Sequence, residues 1–246
     1  MSLKVITIDF WNTLFDSSSG LDRNKYRLNA LITETDKLRC LIKQDELEPA
    51  MKSSWEYFNK VWMNEQRTPS SLDMVNYFWE KLKLPNNEES KLKIAETFSN
   101  SILIHPPKLV PQVKEALDEL SRNYKLGIVS DTGFSPGSVL RKLLEKDGIL
   151  KYFGVFSFSD ETGVAKPNPK AFLAVLDHFK CKPEEALHIG DIENTDIVGA
   201  KSLGMKAIRF DGDSSAFLVK ENPKETLADF ECSDWKEIPP LIKKLN

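Results

Sequence analysis

The sequence predicts an α/β protein: a parallel sheet covered by helices, with an all-helical block inserted after the first strand. Beyond residue 106, short apolar runs of strand length alternate with segments of helical periodicity, which is typical of a parallel sheet. Between Gly20 and Ile104 the strand signal is missing, and apolar residues recur three or four positions apart. The strand that precedes this block must join the same sheet, because alone it could not bury both of its faces.

The first strand is predicted at residues 3–8, an apolar run that stops at Asp9. The residues from Asp9 to Asp16 include Thr13 and are expected to form a turn. A buried strand that ends in a carboxylate places that group at the carboxyl edge of the sheet, where open α/β proteins bind their ligands. Asp9 is therefore a candidate nucleophile.

The helical block is expected to contain about four helices packed as a small bundle. Spacings of four, three and four residues separate Met51, Trp55, Phe58 and Trp62. Turn-forming residues interrupt the block at positions 17–20, 68–70 and 84–87, and two prolines close it at positions 106–107. The aromatic rings of the block are expected to fill its core, the alternative being that they form a substrate wall.

After the block, strands and helices are expected to alternate. Strands are predicted at residues 125–129, 155–158, 186–189 and 206–210. Helices are predicted at residues 111–120, 136–144, 169–179 and 195–203. Residues 211–233 show no clear pattern and are expected to be irregular, and residues 235–245 are expected to form a final helix.

Charge and hydropathy exclude several classes of partner. The 246 residues include 34 Lys and Arg against 37 Asp and Glu, so the chain has no basic field and we expect no nucleic-acid partner. No apolar run approaches the roughly 20 residues that cross a bilayer, and the N-terminus leads straight into a strand, so we expect neither membrane insertion nor secretion. The cysteines Cys40, Cys181 and Cys232 lack metal-type spacing and are expected to be free thiols in a reducing compartment, the cytoplasm.

Polar residues stand wherever the chain is expected to reach the carboxyl edge of the sheet. In chain order they are Asp9, then Ser130, Asp131 and Thr132, then Lys166, then Asp191 and Asp196. Each has an ordinary structural explanation when taken alone, as a helix N-cap, a solvated lysine or an acid facing a helix dipole. Together they line one rim of a parallel sheet, which is where a binding site is expected.

The chemistry that these groups would support is phosphoryl transfer. Asp9 and Asp191 offer the hard oxygen ligands that octahedral Mg²⁺ prefers. Ser130 could donate to a phosphoryl oxygen, and Lys166 would neutralise charge on both the phosphoryl group and the nucleophile. Attack by Asp9 would form an aspartyl-phosphate that water then resolves.

These residues and their order resemble the motifs of the haloacid dehalogenase superfamily, most of whose members are magnesium-dependent phosphatases. The family pattern has Asp-x-Asp-x-Thr after the first strand, Ser or Thr after the second, a later Lys, and a late acidic motif. The matching residues are Asp9 and Thr13, Ser130, Lys166 before a proline, and Asp191 with Asp196. The resemblance implies a Rossmann-like core of residues 1–16 and 106–246, and a helical cap of residues 17–105 that closes over the site and selects substrates.

The resemblance also implies a role for each residue. The catalytic set would be Asp9 as the nucleophile, with Thr13, Ser130 and Lys166. The Mg²⁺ site would consist of Asp9, the backbone carbonyl of Trp11, Asp191 and, in support of that shell, Asp196. The substrate, expected to be a small phosphorylated metabolite, would be bound by Ser130, Lys166 and main-chain donors at Asp131 and Thr132.

One position departs from the family pattern. Two residues beyond the nucleophile, the family's phosphatases have a second Asp, which protonates the leaving alcohol and then activates water. Trp11 stands here and can do neither. General acid–base catalysis is typically worth about 10²–10⁴-fold in rate, so turnover of substrates with poor leaving groups is expected to be slow. Asn12, where the family usually has Gly, indicates a modified turn.

Three functions are open at this point. The favoured hypothesis is a magnesium-dependent phosphohydrolase or phosphotransferase with altered proton transfer, because Asp191 and Asp196 keep the metal site. The second is a metal-independent 2-haloacid dehalogenase. Those enzymes have an aromatic Tyr at the position of Trp11 but replace the late acids by Ser and Asn, and they need a cation for the substrate carboxylate. The candidates for that cation are Arg23, Arg27 and Arg39. The third is a phosphate- and metal-binding protein that has lost turnover.

Two further polar residues lie close to the late acidic motif. His188, inside the predicted fourth strand, is expected to be a core histidine with satisfied hydrogen bonds rather than a catalytic one. Glu193 is expected either to reach the cation through water or to serve as a first-turn charge on the following helix.

Overall fold

The computed structural model describes residues 2–215 and 222–245, apart from the side chain of Gln44. A six-stranded sheet lies at its centre. The strands are β1 (Val5–Ile8), β2 (Lys125–Ser130), β3 (Phe153–Phe158), β4 (Ala186–Gly190), β5 (Lys206–Phe210) and β6 (Phe230–Cys232). Their order is β3-β2-β1-β4-β5-β6, and every neighbouring pair is parallel. Because helices pack on both faces, all four residues of β1 are buried.

The helices fall into two groups. The insert between β1 and β2 contains α1 (Gly20–Lys37), α2 (Gln44–Glu65), α3 (Ser71–Lys81) and α4 (Glu88–Ile104). The sheet is accompanied by α5 (Val113–Ser121), α6 (Gly137–Lys146), α7 (Ser159–Thr162), α8 (Pro169–Phe179), α9 (Val198–Ser202) and α10 (Ile238–Leu245). The predicted α/β fold, a Rossmann-like parallel sheet with an all-helical insert, is confirmed.

The sheet contains one strand more than the sequence predicts. All five predicted strands are present, but the expectation that residues 211–233 are irregular was wrong for Phe230–Cys232, which pairs with β5. Three residues are too few to show an alternating pattern, so this strand is defined by its pairing partner and not by its own sequence. Within the same predicted segment, residues 216–221 lie outside the described residues.

The helix predicted at residues 195–203 begins differently from the prediction. Glu193–Ile197 forms a π-helical turn, and regular α-helix follows only at Val198–Ser202. The wider turn is closed by the amide of Ile197, which donates to the carbonyl of Ile192 at 3.4 Å. Such turns are frequent at functional sites, and this one directs the side chain of Asp196 back toward the end of β4.

The insert forms the four helices expected of it and has an apolar core of its own. The break between α1 and α2, at residues 38–43, carries no glycine or proline and was not predicted. Trp79 lies in the core of the insert, as expected for its aromatic rings, and its indole donates to the carbonyl of Pro85 at 2.9 Å. Phe134 and Ala165, from two loops at the sheet edge, also pack into this core.

The end of the chain supports the loop that follows β1. The helix predicted at residues 235–245 is present as a short 3₁₀ turn, Trp235–Glu237, followed by α10. The fully buried indole of Trp235 donates a hydrogen bond of 2.7 Å to the carbonyl of Thr13. A residue from the last helical segment therefore fixes the turn beside Asp9.

The structure also bears on the predicted state of the cysteines and on the hydropathy of the helices. The cysteines Cys40, Cys181 and Cys232 are free, as predicted. Within the described ranges, none of the helices combines the length and the apolar composition needed to cross a membrane.

Candidate active site

Three adjacent strands bring the predicted site residues to one edge of the sheet. Asp9 directly follows β1, Ser130 is the last residue of β2, and Asp191 directly follows β4. Because β1 lies between the other two strands in parallel register, these residues are neighbours. The amide of Asp9 donates to the carbonyl of Ile189 at 2.9 Å, which extends the strand pairing to Asp9.

Lys166, from the loop before α8, lies between two of the carboxylates. Its Nζ is 2.5 Å from Asp9 Oδ1 and 2.6 Å from Asp196 Oδ1, and all three side chains are buried. Burial alone would lower the pKa of Lys166, but the carboxylates of Asp196 and Asp9 outweigh it and hold the pKa above its usual range. The two carboxylates therefore favour the charged form of the lysine.

Asp196 is held by groups from four positions. Its Oδ1 accepts from Lys166 and from His188 Nε2 at 2.8 Å, and its Oδ2 accepts from the amide of Ile192 at 3.1 Å and the hydroxyl of Thr195 at 3.3 Å. Burial would raise the pKa of Asp196, but Lys166 and His188 hold it below its usual range. Asp196 is therefore ionised, and it anchors Lys166.

His188 has a more specific position than that of a core residue. The fully buried ring has Nδ1 at 2.8 Å from Thr7 Oγ1 and Nε2 at 2.8 Å from Asp196. Since an ionised carboxylate only accepts, Nε2 must carry the proton. The prediction that its hydrogen bonds are satisfied is confirmed, but its link to Asp196 was not predicted from the sequence. The only available signal was its position in the strand that leads to the acidic motif.

The acidic side chains of the edge form a group that could hold a metal ion. Asp9, Asp191 and Asp196 each offer an oxygen, and these atoms lie within 4.8 Å of one another. Burial raises the pKa of Asp9 to about 6, although Lys166 opposes the shift. Burial and repulsion from Asp196 and Asp9 raise the pKa of Asp191 well above its usual value. Buried negative charge in excess of the single lysine, on hard oxygen donors, fits a divalent cation such as Mg²⁺.

Asn12 orients one of these acids. Its backbone is in the left-handed region, with φ of 58°, which asparagine tolerates better than most residues. Its side-chain amide donates to Asp191 Oδ2 at 2.9 Å, and its carbonyl oxygen accepts from the hydroxyl of Ser17. The sequence indicated only a modified turn here. The structure adds a contact between residues 179 positions apart, which no local pattern could predict.

Two hydroxyl groups at this edge of the sheet have no hydrogen-bond partner in the part of the chain that the structure describes. Among the described residues, Ser130 Oγ and Thr13 Oγ1 are buried without a hydrogen bond. Buried polar groups in native proteins are nearly always paired, so an orphaned donor at a sheet edge is a feature that needs a ligand or a water molecule. For Ser130, this arrangement fits the predicted contact with a phosphoryl oxygen.

Asp131 and Thr132 shape the loop that follows Ser130. Asp131 accepts from the amide of Lys166 at 2.9 Å and from Trp62 Nε1 at 2.8 Å. The amide of Thr132 donates to Ser159 Oγ at 2.8 Å, and the hydroxyl of Thr132 accepts from the amide of Asp160 at 3.2 Å. Both side chains are thus engaged within the protein, and Trp62 links this loop to the insert.

The loops after β4 and β5 are joined by a second cluster of polar residues. Glu193 accepts from Arg209 at 3.0 Å, from Thr226 at 2.6 Å and from the amide of Leu227 at 2.8 Å. Its carboxylate is therefore occupied, which does not fit the expectation that it reaches the cation. Asn222 donates to the carbonyl of Asp191 at 2.6 Å and supports the acidic edge from this side.

A cavity of about 810 Å³ separates the sheet edge from the insert. Asp9 and Lys166 lie on its sheet side, and Arg23, Arg27 and Trp62 lie on its insert side. Pockets of a few hundred to about 1,000 Å³ bind small organic ligands. The cavity therefore has the size needed for a metabolite that reaches from the carboxylates to the insert.

Most of the tryptophans and candidate arginines discussed above line this cavity. Trp11 is half-buried and lines the same cavity as Asp9, with an indole where the family pattern has its second Asp. Trp55 and Trp62 also line the cavity, where the substrate-wall alternative places such rings. Of the three candidate arginines, Arg23 and Arg27 line the cavity, whereas Arg39 is exposed at the end of α1.

Comparisons with known proteins give the same assignment as the motifs. A glyceraldehyde 3-phosphate phosphatase from Pyrococcus furiosus is 35% identical over 138 residues, which are 56% of this chain and 55% of that protein. The rhythmically expressed gene 2 protein of Drosophila melanogaster is 28% identical over 237 residues, which are 89% of this chain and 86% of that protein. A crystal structure of a 2-haloacid dehalogenase from Pseudomonas syringae has a TM-score of 0.75 at 20% identity, covering 99% of this chain and 100% of that one.

These likenesses differ in what they establish. The chain spans about half the length of the Pyrococcus phosphatase, and the structural likeness at 20% identity shows the fold alone. The model of haloacid dehalogenase-like hydrolases, in contrast, matches residues 3–204, from β1 to the end of α9, and so includes every residue of the acidic edge. The chain therefore belongs to the family of haloacid dehalogenase-like hydrolases.

Proposed function

We propose that this protein is a magnesium-dependent phosphohydrolase or phosphotransferase in which Asp9 is the nucleophile. The observation that carries the proposal is the position of Asp9, a buried carboxylate 2.5 Å from the ammonium of Lys166 and within 4.8 Å of the ligand oxygens of Asp191 and Asp196. Carboxylates that repel one another can bind a divalent cation, and that cation can in turn bind the anionic phosphoryl group of the substrate. Phosphatases among the relatives support the same class of reaction.

The reaction would proceed in two displacements. An Asp9 oxygen forms a bond to phosphorus while the bond to the leaving oxygen breaks, which gives an aspartyl-phosphate and an alcohol. Lys166 offsets the charge on Asp9 and on the phosphoryl oxygens, and Ser130 donates its unpaired hydroxyl to one of them. Water then attacks phosphorus and releases phosphate and Asp9. Magnesium, held by Asp9, Asp191, Asp196 and the carbonyl of Trp11, would supply further positive charge for the phosphoryl group.

Trp11 sets a limit on the substrates that can react quickly. Its indole cannot protonate the departing oxygen, so the leaving group must be a weak base or must take its proton from water or from the substrate itself. Aryl phosphates and acyl phosphates meet the first condition. We therefore expect the protein to turn over such substrates faster than simple alkyl phosphates.

The test is a phosphatase assay on p-nitrophenyl phosphate and acetyl phosphate. Activity should depend on Mg²⁺, disappear in chelator and be abolished by Asp9→Asn, while Asp22→Asn on the exposed face of α1 should retain it. Trapping of the phosphoenzyme should give a mass increase on the wild-type protein only. Phosphate affinity without a detectable phosphoenzyme would instead favour a protein that binds but has lost turnover, and equal activity of Asp9→Asn would overturn the proposal.

Trp11 and the cavity arginines give specific support to a second candidate, a 2-haloacid dehalogenase. An aromatic residue next to the nucleophile and a cation for a carboxylate are what such an enzyme needs, and Arg23 and Arg27 lie in the cavity. Against it, Asp191 and Asp196 would repel an anionic haloacid in the absence of a cation. Release of halide from 2-chloropropionate in the presence of chelator, without any phosphatase activity, would select this alternative.

We further propose that residues 17–105 act as a cap over a core of residues 1–16 and 106–246. The separate apolar core of the insert and the cavity between insert and sheet support this division. A small phosphorylated metabolite would then be selected by cap residues that face the cavity. Exchange of Trp55 or Phe58 should change relative activities among substrates and leave the dependence on Mg²⁺ intact. We also propose that the protein acts in the cytoplasm, which the free cysteines support.

A further inference from the structure

We propose that the substrate of this site carries a second anionic group, a carboxylate or a second phosphate, which Arg23 and Arg27 bind from the insert. The inference rests on the proposed phosphoryl transfer at Asp9 and adds a substrate class to it. Both arginines lie on α1, four residues apart, so they project from the same face of the helix. Both line the cavity that also contains Asp9 and Lys166.

Arg27 is buried without a charged partner. Its side chain is 6% exposed, its guanidinium lies 4.2 Å from the ring centre of Phe134, and one terminal nitrogen donates to Asn24 Oδ1 at 3.1 Å. Within the part of the chain that the structure describes, its Nε has no hydrogen-bond partner at all. Burial, together with repulsion from Arg23, lowers the pKa of Arg27 to about 9.

Arg23 is placed in the same way. It is also 6% exposed, and its guanidinium lies 5.5 Å from the ring centre of Trp11. It donates to the hydroxyl of Ser19 and, at 3.3 Å, to the carbonyl of His105, both neutral groups. Within the described residues neither arginine forms an ion pair, although the charge of Asp16 acts on Arg23 and partly offsets the effect of its burial.

Arg209 shows how this protein buries a guanidinium for structural purposes. It is likewise 6% exposed, but it contacts Glu193 at 3.0 Å and Glu231 at 3.2 Å. Burial of a charge without an opposite charge is unfavourable, and two neighbouring cations also repel each other. The unpaired arginines of the cavity therefore differ from the structural one by the carboxylate that they lack, and a ligand can supply it.

The rings of Trp11 and Phe134 pack against the guanidinium groups of Arg23 and Arg27 in a way that favours binding of an anion. A ring beneath a guanidinium occupies its face and leaves the N–H groups at its edge free to donate in its plane. Such edges bind carboxylate and phosphate oxygens through paired hydrogen bonds. Since Lys166 and Asp9 occupy the opposite side of the cavity, a ligand that meets both sides has its reacting phosphoryl group at one end and its second anion at the other.

The test compares substrates that differ only in the second anion. Glycerol 3-phosphate and 3-phosphoglycerate differ by a carboxylate, and fructose 1-phosphate and fructose 1,6-bisphosphate differ by a phosphate. In the glycerol pair the leaving oxygen is the same, and in the fructose pair it is the same when release of the C1 phosphate is measured, so slow proton transfer affects both members alike. In the presence of Mg²⁺, we expect kcat/KM to favour the second member of at least one pair by about tenfold or more, and that pair identifies the kind of anion.

Variants show whether the arginines cause this preference. Arg27→Met should reduce the ratio of kcat/KM within the favoured pair toward one, chiefly through KM, and Arg27→Lys should restore part of it. Lys25→Met removes the same charge from the exposed face of α1 and should leave the ratio unchanged. A wild-type ratio near one in both pairs would overturn the inference, as would an Arg27→Met variant that folds and keeps the full ratio.

A binding measurement separates this inference from the proposed reaction. Calorimetry with phosphonoacetate and ethylphosphonate, which cannot be hydrolysed, should show tighter binding of phosphonoacetate to the wild-type protein and not to Arg27→Met. If no phosphate ester or acyl phosphate is hydrolysed but this difference is found, the second-anion site stands and the phosphohydrolase proposal fails. If phosphates are hydrolysed but both phosphonates bind alike and neither substrate pair shows a preference, the opposite holds.

Discussion

The two sides of the cavity balance their buried charges in opposite ways. At the sheet edge, Asp9, Asp191 and Asp196 share the single ammonium of Lys166, so this side is short of positive charge. On the insert, Arg23 and Arg27 form no ion pair with the described residues and only the charge of Asp16 acts on Arg23, so that side is short of negative charge. Neither side is balanced by the described residues, and for this reason we propose a cation for the first side and an anionic ligand for the second.

The largest expected effect comes from removal of the only cation within the acidic edge described here. Lys166→Met leaves Asp9 and Asp196 without their partner, and breaking a buried pair in this way typically destabilises a protein by about 3–5 kcal/mol. Activity should also fall by about 10²–10³-fold, because a charge that faces the transferred group is lost. Chemical denaturation and a phosphatase assay measure the two effects.

Lys201 provides the matched control for this substitution. Its ion pair with Asp229 is partly exposed, so Lys201→Met should cost no more than about 1 kcal/mol and leave activity intact. If Lys166→Met is as mild as the control, the acidic edge does not carry the excess charge that the structure indicates.

Trp11 stands between the two sides and gives the next prediction. Trp11→Asp would introduce the missing acid–base group beside Asp9, and such a group is typically worth about 10²–10⁴-fold. The rate on alkyl phosphates should rise relative to the rate on aryl phosphates. Arg23 lies beside this position and would keep the new carboxylate ionised, so the gain should reach the lower end of that range. An unchanged ratio would mean that the proton is supplied elsewhere or that its transfer is not limiting.

The residues of the sheet edge could be predicted from the sequence, whereas the contacts of the insert could not. Asp9, Ser130 and Asp191 were identified because each terminates an apolar strand, and parallel strands bring their ends together. The fold follows from the same alternation. The short strand β6 and the π-helical turn at Glu193–Ile197 were not predicted, because neither has a periodic pattern of its own.

Contacts between distant segments could not be predicted in the same way. Asn12 meets Asp191 across 179 residues, and Trp62 meets Asp131 across 69 residues. The arginines of α1 were recognised as candidates, but helical periodicity did not decide which of them face the cavity. That depends on how the insert packs on the sheet, through residues such as Phe134.

Metal binding should reverse the charge imbalance of the acidic edge. A ligand at 100 times its Kd stabilises the folded state by about 2.7 kcal/mol, so Mg²⁺ should raise the Tm of the wild-type protein. Asp191→Asn should remove most of this response and, because it relieves repulsion from Asp196 and Asp9, should stabilise the metal-free protein. Asp118→Asn, on the exposed side of α5, serves as the control. A metal-free Asp191→Asn protein less stable than the wild type would contradict the charge argument.

The smallest expected effect concerns Asp131, one of the residues through which the sheet edge contacts the insert. Burial raises the pKa of Asp131 to about 6, while Lys166 and the indole of Trp62 oppose the shift. A carboxyl with a folded pKa above its unfolded value of 3.8 binds its proton more tightly when folded, so its contribution to stability falls as pH rises between those values. In chelator, the free energy of unfolding of Asp131→Asn relative to wild type should therefore rise from about pH 4 to about pH 6. Trp62→Phe removes the indole donor and should extend this rise to higher pH. A constant difference would show that the pKa of Asp131 is the same in the folded and unfolded protein, and would contradict the shift.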